Sequence, residues 1–376
     1  MRPPHRKTIR EIETAEQFLE RHGHLRDCGI QRLDLTRLDV DWETLDVEGS
    51  LFLGCRFASQ QVRHVLEERG AVLFPSFSPR PYDPYRTSLY TPEELEGVDE
   101  KIYAWYADAG KYHPDIGEAL AQRVHDLAID DALGDLVGST PDERLAKRVV
   151  GVMGGHSIER DSIDYARAAK VGWLLAKHHF VLTGGGPGIM EAANLGAYMS
   201  GRDESELTLA VEQLAVAPTT KHPDYQSAAR SVKAAYPTGV ENLSVPTWFY
   251  GFEPVNLFAS HIAKYFANSI REDGLLAICL HGVVFAPGSA GTVQEIFMDA
   301  AQNRYSTFDY RSPMAFLSRE RWEPSPGQGI FPALLAEAKA GPEKKDLYDD
   351  LLTLSDSPDE VADFIRRTPP RAGPAA

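Results

Sequence analysis

Short apolar runs and longer amphipathic stretches alternate along the second half of the chain. The run VVGVM from Val149 and the run FVLT from Phe180 predict two buried strands, and the stretch 161–178 between them carries apolar side chains at helical spacing. A glycine-rich turn and a second amphipathic stretch follow the FVLT run. This order predicts a βαβ unit with parallel strands.

Similar patterns extend the predicted sheet towards the C-terminus. Residues 283–286 predict a buried strand, and Gly291 to Phe297 begins a helix after a tight turn. Further strands are predicted in LTLAVEQLAVAP, AAYPTGVENLSVPTWFY and MAFLS, and further helices over 254–271, in IFPALLAEAKA and over 357–367. We expect a Rossmann-like α/β fold, with a doubly wound parallel sheet that binds ligands at the carboxyl ends of its strands.

The first part of the chain has a different pattern. Residues 1–25 predict a helical entry segment, and residues 26–57 alternate leucines with polar residues like one or two coils of a pentapeptide-type β-helix. A helix and a short strand follow, then an irregular proline-rich loop or lid over 74–92 and a mostly helical stretch over 92–138. The sequence Ser-Thr-Pro at 139–141 indicates a junction. We therefore expect an additional N-terminal α+β domain over residues 1–145, a Rossmann-like domain over 146–345 and a C-terminal helix and tail over 346–376.

Composition excludes several classes of function. The chain has 376 residues and a formal charge of −16, which argues against a nucleic-acid polymer or an acidic membrane as partner. Its three cysteines are far apart, so neither a disulfide framework nor a metal cluster is indicated. The N-terminus lacks the apolar segment of a signal peptide, and the chain has no long apolar run. We expect a cytoplasmic protein with no metal.

Three glycine-rich turns follow predicted strands, and in a parallel sheet they meet at one edge. Backbone N–H groups at such turns, together with the positive end of a helix dipole, suit a phosphate group. The spacing is not GxGxxG, so we favour a nucleotide or sugar phosphate over NAD. The candidate ligand-binding residues are Gly154, Gly155, His156, Ser157, Gly185, Gly186, Gly188, Gly288, Ser289, Ala290, Gly291 and Thr292. His156 could equally bond the backbone.

Two carboxylates are placed to act in the same crevice. Glu191 and Glu295 each lie in the first turn or so of the helix that follows a glycine turn. A carboxylate at that position could stabilise the cation that forms when an N-glycosidic bond breaks, and could orient or deprotonate the attacking water. Either glutamate could instead serve only to compensate the helix dipole.

The pair GGGPGIMEAAN and PGSAGTVQE resembles the Lonely Guy (LOG) family, and the preceding GGHSI is similar to its longer bacterial relatives, which hydrolyse nucleoside 5′-monophosphates. The resemblance covers roughly residues 147–340. It implies that Gly288, Gly291 and Thr292 bind phosphate, and that Glu295, Glu191 and Arg271 are catalytic. The family's second glycine is Ser289 here, which could change affinity or substrate choice. Arg271 could instead be a cation at a helix C-terminus.

Aromatic residues are concentrated between Glu241 and Pro254. Trp248, Phe249 and Tyr250, with Phe252 close by, could stack a nucleotide base, although aromatic stretches of this kind are also typical of a protein core.

Together these observations predict a hydrolase, a nucleotide phosphoribohydrolase (nucleosidase) that releases free base and ribose 5-phosphate from a nucleoside monophosphate. The resemblance implies no cofactor and a homodimer or higher homo-oligomer. The alternative is a non-catalytic nucleotide- or alarmone-binding regulatory protein, in which the N-terminal domain contacts a partner.

Overall fold

The computed structural model describes residues 10–108, 111–341 and 347–373. It divides into one unit of residues up to Ser88 with Tyr112–Ala128, and a second unit of Leu89–Lys111 with the residues from Ile129 onward. The boundary predicted at 145 therefore falls inside the second unit, as does the segment predicted as a separate C-terminal piece. The hydroxyl of Thr140, in the predicted junction, accepts a hydrogen bond from the N–H of Glu143 and caps a helix instead.

The first unit contains a four-stranded parallel sheet. Its strands, in the order in which they pair, are β1 (Arg10–Ile12), β2 (Cys28–Gln31), β3 (Leu51–Leu53) and β4 (Val72–Phe74). Gly29 pairs with Leu51, and Leu51 pairs with Val72, so successive chain passes stack in parallel as the predicted coil requires. Residues 1–9 of the helical entry segment predicted over 1–25 lie outside the described residues. The described part is partly wrong, because the strand β1, which pairs with β2, precedes α1 (Ala15–Glu20).

A single apolar cluster holds this sheet together. Ile30 of β2 and Phe52 of β3 are fully buried, and α2 (Gln60–Glu68) adds Leu66 to the same cluster. Helix α2 and β4 confirm the predicted helix and strand, and the proline-rich segment after β4 has no helix or strand between Phe74 and Pro92. The buried leucines of the alternating stretch therefore act as core.

The second unit begins with helices. They are α3 (Pro92–Asp108), α4 (Ile116–Val137) and α5 (Pro141–Lys147). The part of α4 up to Ala128 belongs to the first unit, and the part from Ile129 belongs to the second. These helices confirm the mostly helical stretch predicted over 92–138. Lys264 forms a buried ion pair with Asp99 of α3, with nitrogen–oxygen distances of 2.8 and 2.9 Å, which fixes this helix within the second unit.

A seven-stranded parallel sheet forms the centre of the second unit. Its strands are β5 (Val149–Met153), β6 (Phe180–Thr183), β7 (Leu243–Ser244), β8 (His261–Ile262), β9 (Val283–Phe285), β11 (Met314–Leu317) and β12 (Leu352–Ser355). The order across the sheet is β12-β11-β9-β5-β6-β7-β8. The short strands β10 (Tyr310–Arg311) and β13 (Arg371–Ala372) form a separate antiparallel pair. The predicted doubly wound parallel sheet is confirmed.

Helices connect these strands. They are α6 (Ile163–Leu175), α7 (Ile189–Met199), α8 (Glu204–Ala215), α9 (Tyr225–Ala235), α10 (Asn268–Ala277), α11 (Ala290–Tyr305), α12 (Arg319–Trp322), α13 (Ile330–Ala338) and α14 (Pro358–Arg367). No helix among the described residues is both long and apolar enough to cross a membrane.

Two predicted elements differ from the structure. The stretch LTLAVEQLAVAP is helix α8 rather than a strand, and the N–H of Asp203 donates to the Glu206 carboxylate at 3.2 Å, a start signal that the apolar pattern obscured. The predicted helix over 254–271 is mostly irregular and contains β8. There the side chain of Asn242 donates to Phe258 O at 3.0 Å, and that of Asn256 accepts from Phe258 N–H at 3.1 Å, so side-chain amides take the place of helical hydrogen bonds.

Candidate functional site

The direction of winding reverses between β5 and β9. From β5 the chain proceeds outward through β6, β7 and β8, and it then returns to the other side of β5 to form β9, β11 and β12. The crevice at such a switch point, outside the carboxyl ends of the strands, is where open α/β sheets bind ligands. The turns after β5, β6 and β9 all border this crevice.

The glycines of these turns allow the backbones to pack directly against each other. The N–H of Gly155 donates to Pro287 O at 2.9 Å, and the N–H of Ile189 donates to Gly155 O at 3.1 Å. A Cβ added to Gly288 would lie 2.1 Å from the Thr292 hydroxyl and 3.0 Å from the Gly155 nitrogen. These glycines are therefore required to bring the turns together, whatever ligand they hold.

A cavity of about 540 Å³ opens at this point, which we call the first cavity. Its volume is in the range of small-molecule sites. It is lined by Gly154, Gly155, His156, Gly184, Gly186, Met190, Thr247, Tyr250, Glu253, Arg271, Glu272, Ser289, Ala290, Gly291, Thr292, Gln294 and Glu295.

The N-terminus of α11 forms one wall of the first cavity. Ser289 is the N-cap residue, and its side chain makes no capping hydrogen bond. The first N–H groups of a helix have no intrahelical acceptor, and the dipole of a helix as long as α11 places partial positive charge there. A Cβ added to Gly291 would meet no protein atom within 4 Å, so the backbone is open at this point. This wall is suited to an anion such as phosphate.

Arg271 of α10 lies in the cavity wall, where it is 6% exposed. Its Nε donates to Val245 O at 2.7 Å and one terminal nitrogen donates to Gly184 O at 3.2 Å. Its other terminal nitrogen lies 3.9 Å from a carboxylate oxygen of Glu295. The side chain is thus fixed by backbone carbonyls with one charged edge directed at Glu295, and the alternative of a cation at a helix C-terminus does not apply, since Arg271 lies in the first half of α10.

Glu295 is the carboxylate that the second glycine motif brings into the first cavity. Its side chain is 12% exposed, and burial raises its pKa to about 7, although the nearby Arg271 acts in the opposite direction and Glu272 adds to the rise. A carboxyl group that titrates near neutral pH can accept and return a proton under physiological conditions.

Glu253 is a second cavity carboxylate, and our sequence reasoning missed it. Burial raises its pKa above the ordinary value, while the charges of His156, Lys264 and Arg271 lower it. A Cβ at Gly186 would lie 3.1 Å from Glu253 Oε2, so the carboxylate faces the turn after β6. The segment between Glu241 and Pro254 is distinguished in the sequence only by its aromatic residues, so it gives no signal for Glu253.

The structure places Glu191 outside the first cavity. Its two carboxylate oxygens accept hydrogen bonds from Arg160 at 2.6 and 2.8 Å, and one of them also accepts from the hydroxyls of Tyr165 at 3.0 Å and Tyr225 at 2.9 Å. Glu191 is 3% exposed and Arg160 is 1% exposed. The predicted catalytic position therefore corresponds to a buried ion pair, because the side chain points from α7 towards Arg160.

The three aromatic candidates have different environments. Trp248 is fully buried, stacks on Phe266 at a centroid distance of 4.5 Å, and donates its Nε1–H to Asp99 at 2.8 Å, so it belongs to the core. Phe249 lies outside the cavity lining, with Lys111 Nζ 4.7 Å from its ring centroid. Tyr250 lines the cavity, is 61% exposed, and donates its hydroxyl to Glu272 at 2.9 Å.

Of the remaining predicted residues, His156 lies in the wall of the first cavity, and Gly185, Ser157 and Gly188 lie near it. Gly185 lies in the turn after β6 and has a φ of 77°. Its N–H donates to the Thr183 hydroxyl at 3.0 Å. Ser157 and Gly188 line a neighbouring cavity. His156 borders both cavities. Among the described residues, no group of three or more His, Cys, Asp and Glu side chains could hold a metal ion.

One family model matches part of the second unit. Residues 147–202, which span β5, α6, β6 and α7, match the SLOG cluster4 family, where SLOG denotes the SMF/DprA-LOG superfamily. The match includes the first glycine motif and Glu191 and ends before the second motif. No curated protein matches the chain significantly in sequence.

The solved structures that align with this chain include two proteins whose names refer to the molybdenum cofactor. The molybdenum cofactor binding protein of Rippkaea orientalis is 16% identical, with a TM-score of 0.35, and the alignment covers 58% of this chain and 96% of that chain. The molybdenum cofactor carrier protein of Chlamydomonas reinhardtii is also 16% identical, with a TM-score of 0.35 and coverage of 59% and 97%.

Proposed function

We propose that the protein binds a nucleoside 5′-monophosphate in the first cavity and hydrolyses its N-glycosidic bond, as the resemblance to the LOG family implies. The observation that carries this proposal is that one helix, α11, supplies both an open N-terminus and, one turn later, the buried carboxylate of Glu295. The phosphate would lie against the backbone of Ser289 to Thr292. The ribose would then extend from this wall towards Glu295 and Arg271.

The chemistry requires stabilisation of positive charge on the ribosyl carbon and activation of water. Glu295 in its ionised form would do both: its negative charge favours an oxocarbenium-like centre, and its pKa of about 7 suits it to accept the proton of the attacking water. Arg271 would hold Glu295 ionised and bind phosphate or ribose oxygens. The water oxygen bonds to the ribosyl carbon as the carbon–nitrogen bond breaks, and the leaving base takes up a proton.

The alternative is a regulatory protein that binds the nucleotide without turnover. The observation that favours it is the state of Glu191, since one of the catalytic carboxylates implied by the LOG resemblance is held in an ion pair away from the first cavity. In that case the cavity would retain ligand affinity only.

The test is chromatography of the products after incubation of the full chain with AMP, GMP, CMP, UMP and IMP. A phosphoribohydrolase releases free base and ribose 5-phosphate in equal amounts. The corresponding nucleosides, which lack the phosphate anchor, are the control and should remain intact. If no nucleotide is cleaved but one of them raises the melting temperature, the regulatory alternative is correct. If nothing is cleaved or bound, both are wrong.

A further inference from the structure

A second cavity, of about 490 Å³, adjoins the first. Its lining includes Glu159, Thr219, Thr220, Lys221, Tyr225 and Phe252. Among the described residues, His156 and Glu253 line both cavities. A ligand that fills the first cavity and passes these two side chains would therefore enter the second.

The wall of the second cavity is held in place by Arg160. The N–H of Arg160 donates to Pro218 O at 3.0 Å, one terminal nitrogen donates to Tyr225 O at 2.8 Å, and the guanidinium carbon lies 3.4 Å from the centroid of the Tyr225 ring. Arg160 is in turn held by Glu191. The buried ion pair therefore fixes the segment 218–225, which indicates a cavity formed before the ligand arrives.

The lining of the second cavity offers a surface for a flat heterocycle. Phe252 is a large apolar side chain that is nevertheless 49% exposed, whereas the Tyr225 ring in the same wall is buried and is covered by Arg160. Thr219 and Thr220 add hydroxyl groups that could bind the polar edge of a ring. Carboxylates line both cavities, and Lys221 adds a positive charge to the second, but the open N-terminus of α11 and the buried charge of Arg271, which suit a phosphate, lie in the first cavity.

We propose that the second cavity is the subsite for the heterocyclic base, with Phe252 as its stacking surface and Glu253 at the point where base and sugar meet. This inference rests on the proposed function, which places the phosphate at α11. It assigns Glu191 a positioning role, because Glu191 holds Arg160 and, through it, the wall of the base subsite. It also replaces Trp248 and Phe249 with Phe252 as the aromatic residue that contacts the base.

The experiment is calorimetric titration of the full chain carrying Glu295→Gln, so that no substrate is consumed, with AMP, GMP, CMP, UMP and IMP and separately with ribose 5-phosphate. Addition of Phe252→Ala should weaken the best-bound nucleotide by about tenfold through lost base stacking, and should leave the affinity for ribose 5-phosphate within about twofold. The matched control is Phe297→Ala, which removes a similarly exposed phenylalanine, 47% against 49%, that lies outside both cavities.

The possible results separate this inference from the proposed function. If ribose 5-phosphate binds and Phe252→Ala weakens nucleotides selectively, the base subsite is supported. If ribose 5-phosphate and nucleotides bind, but Phe252→Ala affects neither or affects both equally, the inference is wrong and the proposed function stands. If the protein binds neither compound, the proposed function fails and the base subsite fails with it.

Discussion

The two glycine motifs of this protein have similar sequences and different uses. In each, a strand ends in a glycine-rich turn, a helix begins, and a glutamate lies in the first turns of that helix. Glu295, in α11, faces the first cavity with Arg271 3.9 Å away. Glu191, in α7, is held at 2.6 and 2.8 Å by Arg160 and receives two tyrosine hydroxyls.

The difference teaches that the neighbour, rather than the spacing, decides the role of such a glutamate. Glu191 compensates the charge of Arg160. Burial alone would lower the pKa of Arg160, but the hydrogen bonds and the negative charge of Glu191 raise this pKa above its ordinary value. Arg271 uses its donors mainly on backbone carbonyls, and its contact with Glu295 is an ion pair at the longer distance of 3.9 Å. One glutamate stabilises the fold, and the other remains available for chemistry.

The difference between the two glutamates is tested most strongly by removing each carboxylate and measuring the stability of the protein. Glu191→Ala leaves the positive charge of Arg160 buried and unpaired, which we expect to lower the free energy of unfolding by roughly 3–5 kcal/mol. Glu295→Ala should cost far less, because the Glu295 carboxylate pairs with Arg271 only at 3.9 Å and its burial already disfavours the charged form. Denaturant unfolding of the two variants provides the measurement.

A double variant tests whether the unpaired charge of Arg160 causes the loss of stability. Arg160→Met combined with Glu191→Ala removes both charges and should recover part of the stability that Glu191→Ala loses. If Glu191→Ala and Glu295→Ala destabilise the protein equally, the two glutamates do not differ in the way described.

The next effect concerns the pH dependence of activity. The Arg271 charge lowers the pKa of Glu295, which burial has raised to about 7. If ionised Glu295 is the base, kcat/KM of the proposed reaction should rise with pH through about 7 and then level off. Arg271→Gln should move this rise to higher pH and weaken nucleotide binding, whereas Arg271→Lys should keep the rise near its original position. An unchanged profile in Arg271→Gln would separate Arg271 from the titration of Glu295.

The sequence predicted the architecture of the crevice better than the direction of individual side chains. The alternation of strands and helices and the three glycine turns led to the correct sheet edge, since apolar periodicity depends on local spacing. The sequence could not show that the Glu191 side chain points from α7 towards Arg160, because these two residues are far apart in the chain. Glu253 was overlooked for the same reason: nothing in its local sequence indicates that it faces the turn at Gly186.

The predicted elements that were wrong share a physical cause. Strand and helix patterns are ambiguous in stretches such as the one that forms α8, where the hydrogen bond from the N–H of Asp203 to Glu206 marks a helix start. In the irregular segment around Phe258, asparagine side chains replace backbone partners, which apolar periodicity cannot reveal.

A smaller effect is expected at Asp299, one turn after Glu295 in α11. Burial raises its pKa to about 8, and the hydrogen bond with the Ser312 hydroxyl acts in the opposite direction. The folded chain therefore binds this proton more tightly than the unfolded chain, and stability should fall as pH rises from about 4 to about 8. Asp299→Asn should reduce that fall, as measured by melting temperature at about pH 5 and about pH 8. Asp273→Asn, at an exposed position of α10, is the control and should leave the fall unchanged.

The smallest expected effect on stability distinguishes Gly288 from Gly291 in the second motif. Gly291→Ala should stabilise the protein by up to about 1 kcal/mol, because the added Cβ meets no protein atom within 4 Å and alanine favours a helix. It should also weaken nucleotide binding, since Gly291 lines the cavity where phosphate is proposed. Gly288→Ala should instead destabilise the fold through its contacts with Thr292 and Gly155. Thermal unfolding with and without nucleotide distinguishes the two; tighter binding by Gly291→Ala would contradict the proposed position of phosphate.

The central claim is that Glu295, rather than Glu191, performs the chemistry in the first cavity. Its most direct test is the single-turnover rate of free-base release from the preferred nucleoside monophosphate by the wild type and by Glu295→Gln, with nucleotide affinity measured on both. We predict that Glu295→Gln lowers the rate by about a hundredfold or more while nucleotide affinity changes little. A Glu295→Gln protein that binds nucleotide and still releases base at the wild-type rate would contradict the claim.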